Sequence, residues 1–211
     1  MSTDEKIIIT PSPDGPYIVK NLINFSNQKG AIKVEKVMAL CCCGKSLNKP
    51  YCDGTHAKIG FTNKNQQPKL ENKCDNYVGV KITIHDNRRI CAHAGVCTDN
   101  LASVFRMKKD PWINPDAADV KDIMEVIQNC PSGALSYTFE NVAFKNNIHE
   151  PAIFIVPNGP YVVTGDVELM NTEMGEAGSK QQYTLCRCGA SKNKPFCDGS
   201  HWGIEFKDDD N

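Results

Sequence analysis

The sequence predicts an α+β protein in which two copies of a small β-rich unit flank a third unit of mixed α+β character. The first observation is a repeat: the string Cys186–His201, with three thiols and an imidazole, has a near copy at Cys41–His56. The second is that the residues between the copies alternate as strands and also contain one helical pattern. The predicted units are residues 1–65, 74–143 and 150–211.

Composition and charge limit the function classes. The 211 residues carry a formal net charge of −1, with 40% hydrophobic and 23% charged residues, as in ordinary soluble globular proteins. No basic run indicates binding to nucleic acid or to an anionic membrane. The first residues lack a secretory signal pattern, and no apolar run reaches the roughly 18 residues of a membrane helix. We therefore expect a cytoplasmic protein.

The repeated unit is predicted to be built from strands. The first copy has strand-like segments at Tyr17–Phe25 and Ala31–Leu40, separated by a turn at Asn27–Gly30. Residues 153–163 and 182–185 restate this plan, and a strand again leads directly into the first cysteine of the motif. The repeat is therefore a whole small domain.

Polar segments separate the units. Thr62–Asn76 and Asn141–Pro151 are predicted to be connectors, and the acidic end Lys207–Asn211 is expected to fray.

The middle unit has both strand and helix signals. Strands are predicted around Ile82 and Tyr137, where apolar and polar residues alternate. A helix is predicted to start with Asn114 as cap and Pro115 as first residue, and to stop at Cys130-Pro131. Its apolar face would consist of Val120, Ile123, Met124 and Ile127.

Eleven cysteines are many for a chain of this size. The count is odd and no export signal is present, so disulfides are the weaker explanation, because cytosolic thiols stay reduced. Most of the cysteines fall in tight groups or beside a proline, which is typical of ligand spacing. The sequence therefore favours metal binding.

The two repeated motifs fit either a zinc ion or an iron-sulfur cluster. A tetrahedral Cys3His zinc site is the simpler alternative, but structural zinc sites usually space their cysteines as Cys-x2–4-Cys. Here the first pair is Cys-x-Cys, and the second pair, a Cys and a His four residues apart, would share one face of a helix. The Asp-Gly-Ser/Thr between them suits a helix N-terminus, which stabilises an anion. Two ligand pairs suit a cluster with two irons.

The pattern Cys-x-Cys, Ser/Thr, Pro-x-Cys-Asp-Gly-Ser/Thr-His resembles the CDGSH iron-sulfur domain family in both copies. The resemblance implies a [2Fe-2S] cluster in each copy and pairing of two such domains, here as a pseudo-dimer within a monomer; a homodimer is the alternative. Cys42, between two ligands, is expected to point away. The implied ligands are Cys41, Cys43, Cys52 and His56, then Cys186, Cys188, Cys197 and His201.

A histidine ligand has two chemical consequences. Neutral imidazole in place of anionic thiolate raises the cluster potential, as two histidines do in Rieske centres. Metal needs the unprotonated ring nitrogen, so binding weakens as the pH falls. We therefore predict that His201→Cys lowers the potential and slows cluster loss at about pH 5 to 6.

The middle unit carries a second ligand pattern, Cys91-x5-Cys97 with Cys130-Pro131 after the predicted helix. It resembles the divergent single-cluster ferredoxin domain, with Ala94 in place of the central cysteine of the bacterial run. Three thiols suit a [3Fe-4S] cluster, and a [4Fe-4S] cluster would need a fourth donor. His93 is the nearest candidate, although a lone histidine is more often simply packed or exposed. Cys74 fits neither pattern and is predicted to hold no cluster.

Three functions remain open from the sequence. We see no nucleophile elbow, phosphate loop or framed carboxylate pair, so the chain is predicted to be a carrier rather than an enzyme, with a redox enzymatic role still open. Electron transfer to a redox partner protein is the first hypothesis. Transfer of iron or clusters to an apo iron-sulfur acceptor, or redox or pH sensing, is the second. A zinc-stabilised interaction module is the third.

Overall fold

The structure is a computed structural model, and it describes residues 5–65, 73–144, 149–172, 179–208 and 210–211. The first repeat contains β1 (Ile7–Pro11), β2 (Tyr17–Lys20), β3 (Asn24–Asn27), β4 (Gly30–Ala31), β5 (Val37–Leu40) and α1 (Thr55–Lys58). The middle unit contains β6 (Asp75–Val78), β7 (Ile82–Asp86), a 3₁₀ turn (Arg88–Ile90), α2 (Val96–Asn100), α3 (Val120–Gln128), β8 (Leu135–Phe139) and β9 (Val142–Phe144). The second repeat contains β10 (Ala152–Ile155), β11 (Tyr161–Thr164), β12 (Val167–Leu169), β13 (Gln182–Leu185) and α4 (Ser200–Gly203).

The two repeats share their sheets. One sheet has the order β12-β1-β2-β5, and the other has the order β13-β11-β10-β3-β4. In the first sheet β12 of the second repeat extends the antiparallel set of the first, with β1 parallel to β12. In the other sheet β3 and β4 of the first repeat extend the antiparallel set of the second, with β3 parallel to β10. Ile9 pairs with Leu169, and Ile153 pairs with Phe25. Neither of these sheets is made from one repeat alone.

One hydrophobic core serves both repeats. Its members include Ile9 and Val19 from the first repeat and Ile155 and Val163 from the second, each with 0% of its surface exposed. β-branched residues at alternating positions favour strands and place one face of each strand in this core. The ligand motifs follow directly after β5 and β13, so the shared core positions both.

The middle unit has a core of its own. Its antiparallel sheet has the order β6-β7-β8-β9. The buried face of α3, formed by Ile123, Val126 and Ile127, packs with Ile82 and Ile84 of β7. The mixed α+β character predicted for this unit is therefore present.

The predicted start of the long helix is wrong. α3 begins at Val120, with Asp119 as its N-cap, rather than at Pro115. The Asn114 side chain instead accepts a hydrogen bond from the Asp116 amide, and the Asp116 carboxylate accepts one from the Val80 amide at 2.7 Å. These bonds hold the segment as a turn.

Several predicted strand boundaries and connectors also differ. β2 ends before Asn21, which has a left-handed φ of 59°, so Tyr17–Phe25 is not one strand. Only the two ends of Ala31–Leu40 are strand, in β4 and β5. Asp75 and Asn76 belong to β6, and residues 142–144 form β9, so both predicted connectors are shorter. Parts of these connectors, residues 66–72 and 145–148, lie outside the described residues.

The acidic end of the chain does not fray as predicted. Asp208 and Asn211 are each only 5% exposed. Asp208 pairs with the buried guanidinium of Arg187, and Asn211 donates to the Asp208 carboxylate. An ion pair inside the protein thus holds this segment.

Among the residues described, none of the helices combines the length and the apolar character needed to cross a membrane.

Candidate metal centres

The first motif places its four predicted donors in two pairs. The loop after β5 brings the Sγ atoms of Cys41 and Cys43 to 3.7 Å from each other. Cys52 Sγ lies 3.2 Å from Nδ1 of His56. The second motif repeats this arrangement, with 3.8 Å between Cys186 Sγ and Cys188 Sγ. Cys197 Sγ lies 3.4 Å from Nδ1 of His201.

The aspartate of each motif shapes the loop between the paired donors. Asp53 accepts hydrogen bonds from the amides of Leu47 and Thr55, both at 2.9 Å, and these bonds lower its pKa. Gly54 has φ 83°, so α1 begins only at Thr55 and Cys52 lies before it. The expectation that Cys52 and His56 share a helical face is therefore wrong: a turn fixed by Asp53 brings them together.

The same arrangement holds the second motif. Asp198 accepts from the amides of Lys192 at 2.8 Å and Ser200 at 3.0 Å. Burial opposes its charge, but these bonds outweigh burial and lower its pKa.

The paired thiols favour one thiolate in each Cys-x-Cys. A hydrogen bond from Cys43 lowers the pKa of Cys41 to about 6, and a hydrogen bond from Cys186 lowers the pKa of Cys188. Ionisation of the second thiol in each pair is opposed, because it would place two negative charges side by side. Bound metal removes that conflict, since metals take thiolate ligands.

The repeats support one another's motifs across the shared core. The Tyr17 hydroxyl donates to the Cys186 carbonyl at 2.9 Å, and the Tyr161 hydroxyl donates to the Cys41 carbonyl at 2.9 Å. Both hydroxyls belong to the repeated Gly-Pro-Tyr sequence, which is the signal that would have found them. Each ligand loop is therefore held partly by a side chain of the other repeat.

A backbone contact also joins the two loops. Cys43 and Cys188 form an isolated antiparallel bridge. Gly44 has φ 74° and Gly189 has φ 83°, and a Cβ on either would clash with the carbonyl of the opposite bridging cysteine. Glycine is needed here both for its conformation and for this close approach.

Position 42 and its counterpart 187 have the same role. The Cys42 thiol donates to the Gly15 carbonyl at 2.8 Å, and Arg187 Nε donates to the Gly159 carbonyl at 2.9 Å. Cys42 thus points at the loop between β1 and β2. Arg187, buried in the second copy, is a residue that the sequence reasoning passed over.

The three predicted ligands of the middle unit meet at one cavity. Cys91, Cys97 and Cys130 all line a cavity of about 550 Å³. Arg88 Nη1 lies 3.7 Å from Cys91 Sγ, and its guanidinium stands 4.0 Å from the centre of the Trp112 ring. Burial raises the pKa of Cys91, and it raises that of Cys97 to about 11.

Arg88 was also missed, although its place three residues before Cys91 was a usable signal. Its positive charge lowers the pKa of Cys91 and of Cys97, against the larger effect of burial.

His93 and Cys74 lie in different surroundings. His93 lines the same cavity, has a left-handed φ of 51°, and packs against Gly199 of the second motif. Cys74 lies one residue before β6 and is not among the side chains around the cavity.

The donor geometry bears on the kind of metal group. Within the described parts of the chain, no three His, Cys, Asp or Glu side chains converge as a single metal ion requires. The donors of each repeated motif lie in two close pairs, and three further thiols line the 550 Å³ cavity.

Comparison with known proteins agrees with this division. The family described as "Iron-binding zinc finger CDGSH type" matches residues 14–57 and 158–202. The family described as "Divergent 4Fe-4S mono-cluster" matches residues 77–140. The chain is also similar to "Uncharacterized protein YjdI" of Escherichia coli K12 and of strain O157:H7. Each match is 46% identical over 61 residues, which is 29% of this chain and 80% of the relative.

Proposed function

We propose that this chain, which belongs to the CDGSH-type iron-binding proteins and carries a divergent 4Fe-4S mono-cluster domain between its two CDGSH domains, is an electron carrier. It would hold two [2Fe-2S] clusters and one [3Fe-4S] or [4Fe-4S] cluster. The observation that supports this most strongly is the grouping of donors, in two pairs at each CDGSH motif and around one cavity in the middle unit.

The residues of each CDGSH motif suit a two-iron cluster. We assign one Cys-x-Cys pair to one iron and the Cys/His pair to the other, with Nδ1 of the histidine as its donor atom. The amides of Gly199 and Ala190 point at the sulfurs of Cys197 and Cys188, both at 3.5 Å. Hydrogen bonds to ligand sulfurs are one of the means by which proteins raise a cluster potential.

The middle site would be held by Cys91, Cys97 and Cys130. Arg88 beside Cys91 would offset part of the negative charge of three thiolates and inorganic sulfide. His93 also lines the cavity and is the additional donor that we propose if the cluster has four irons. Cys74 is outside this proposal.

We further propose that the two CDGSH units act as a pseudo-dimer within one monomer. The exchanged strands and the reciprocal tyrosine bonds support this, since each unit lacks a complete sheet without the other.

The chemistry supplied by such clusters is one-electron transfer without bond rearrangement. The protein's part is to bury the ligands, hold them in fixed positions and keep water from the sulfurs. Cys186, Cys188 and Cys197 are each at most 6% exposed. None of the predicted ligand cysteines forms a disulfide, which suits a cytoplasmic carrier that serves a redox partner protein rather than an enzyme.

A second candidate function is delivery of a cluster or iron to an apo iron-sulfur acceptor, or sensing of redox state or pH. One observation favours it: Cys52 and His56 of the first motif are only half-buried. A single protonatable ligand within reach of solvent would make that site labile.

Spectroscopy and iron analysis test the assignment. We expect a red-brown protein with about eight irons for a [4Fe-4S] middle cluster, or about seven for [3Fe-4S], together with inorganic sulfide. An EPR signal in the oxidised protein would identify [3Fe-4S]. Reversible reduction without iron loss supports the carrier, and rapid transfer to an apo-ferredoxin supports delivery. A colourless protein with zinc in place of iron would refute both.

A further inference from the structure

The middle unit lies directly against the second CDGSH motif. His93, two residues after Cys91, packs on Gly199 so closely that a Cβ added there would stand 2.9 Å from the His93 Cβ. Gly199 lies between the ligands Cys197 and His201 in the sequence. The ligand loop of one site therefore contacts the ligand loop of another.

Two hydrogen bonds fix this contact on either side. Asn193 Nδ2 donates to the Arg89 carbonyl at 2.5 Å, two residues before Cys91, the middle unit's first ligand. Gln182 Nε2 donates to the carbonyl of the ligand Cys130 at 2.9 Å. Gln182 starts β13, whose last residue precedes Cys186, so this bond connects two ligands through one short strand.

Among the described residues, the first motif has no such contact, although its sequence is nearly the same. A Cβ on Gly54, the counterpart of Gly199, would meet none of the described residues within 4 Å. Asn48, the counterpart of Asn193, is exposed, and Val37, the counterpart of Gln182, is 53% exposed. Within the part of the chain that the structure describes, all three comparisons indicate that the middle unit contacts the second motif and leaves the first exposed.

We propose that the middle site and the second CDGSH site form a directly coupled pair, with the 91–97 loop as the connection, and that the first CDGSH site lies outside it. The proposal rests on the electron-carrier function proposed above. In the coupled pair one electron passes from one site to the other, so that one site is oxidised and the other reduced by one electron, with no bond made or broken. His93 is a positioning residue in this pair.

Electron spin relaxation tests the pairing, because a paramagnetic neighbour shortens the relaxation time of a nearby cluster. In the fully loaded, dithionite-reduced chain, His56→Cys and His201→Cys identify the EPR signals of the two CDGSH sites. We expect faster relaxation of the second site's signal, and loss of that difference in Cys130→Ser. Equal relaxation of both signals, or faster relaxation of the first, would overturn the pairing.

Two glycines give a matched control. Gly199 and Gly54 have φ of 82° and 83°, so alanine brings the same backbone strain at each, but only at Gly199 does it strike His93. We expect Gly199→Ala to weaken the relaxation enhancement and Gly54→Ala to leave it unchanged. Equal effects of the two alanines would count against the contact.

The result is separable from the carrier function itself. Spin relaxation in the chemically reduced protein depends on how close the sites are, whether or not the protein transfers electrons in the cell. Cluster donation to an apo-ferredoxin with the relaxation difference intact would refute the carrier and keep the pairing. Reversible reduction with no relaxation difference would keep the carrier and refute the pairing. A preparation that holds no cluster would overturn both.

Discussion

His56 and His201 hold equivalent places in the two motifs but meet different surroundings. His201 is 5% exposed, and burial lowers its pKa from the ordinary 6.5, while His56 is half-buried. Protons compete with metal for the ring nitrogen. A base with a lowered pKa takes up its proton only at a lower pH. The second site should therefore lose its cluster at a lower pH than the first.

We therefore predict two phases of cluster loss between about pH 6.5 and 5, with the first motif lost earlier. Visible absorption of the loaded protein after acidification measures both phases. His56→Cys should remove the early phase, and His201→Cys should slow the late one and lower that site's potential. His85, which is held by Asn76 and Thr138 in the middle unit, gives the control His85→Gln. A fast phase that persists in His56→Cys would contradict the assignment.

Arg187 shows how much a single departure from the repeat can change. Its side chain is 0% exposed and pairs with Asp208, while its counterpart Cys42 needs no ionic partner. Removing one member of a buried ion pair leaves an uncompensated charge.

Asp208→Ala is therefore expected to destabilise the protein by about 3–5 kcal/mol, measured by urea unfolding. Asp166 is exposed, and Asp166→Ala should change stability by less than about 0.5 kcal/mol. Arg187→Met together with Asp208→Ala should recover part of the loss, because the unpaired charge is gone. A double variant as unstable as Asp208→Ala alone would show that the pairing is not the cause.

At the scale of elements, the sequence predicted repeated features better than single ones. The spacing of Cys41, Cys43, Cys52 and His56 was enough to predict two donor pairs, because two copies reported the same pattern. The start of α3 was misplaced, because Asn114-Pro115 also suits a turn, and the distant Val80 amide selects the turn. The acidic tail looked solvated, since its partner Arg187 is remote in sequence and has no counterpart in the first copy.

The exchanged strands make a specific prediction about the two core tyrosines. Tyr161→Phe removes a hydroxyl that bonds to the carbonyls of Cys41 and Pro50, so it should loosen the first motif although the residue lies in the second repeat. We expect a loss of about 1–2 kcal/mol in stability, with faster cluster loss at the first site.

Tyr17→Phe should do the same at the second site. Site-resolved EPR after mild chelation measures which cluster is lost. The control is Tyr183→Phe, which removes a longer bond within the second repeat, to the Val167 carbonyl at 3.3 Å. Loss at the tyrosine's own site, instead of the opposite one, would contradict the exchange.

At the scale of the whole molecule, the sequence could not predict that the middle unit contacts the second motif rather than the first. The two motifs differ at few positions, and neither spacing nor composition says which one the middle unit covers. One deciding difference is Gln182 in place of Val37. Its importance is clear only from the structure, where the Gln182 side chain donates a hydrogen bond to the Cys130 carbonyl. The two motifs therefore have similar predicted ligands but different exposure to solvent.

The shared sheets also predict how the molecule unfolds. Ile9 of β1 is 0% exposed in the core that both repeats build, and Ile84 of β7 is 0% exposed in the separate core of the middle unit. The same truncation at each, Ile9→Ala and Ile84→Ala, should cost about 2–5 kcal/mol of stability. The consequences for the clusters should differ, because the cores differ.

In Ile9→Ala, both CDGSH clusters should be lost together at a lower urea concentration than in the wild type, since one cooperative unit contains both motifs. In Ile84→Ala, the middle cluster should be lost first, and the first CDGSH cluster, which the middle unit does not cover, should keep its wild-type midpoint. EPR signals followed through the urea titration separate the three sites. Loss of only the first CDGSH cluster in Ile9→Ala would show that the repeats are stabilised independently, despite the strands they exchange.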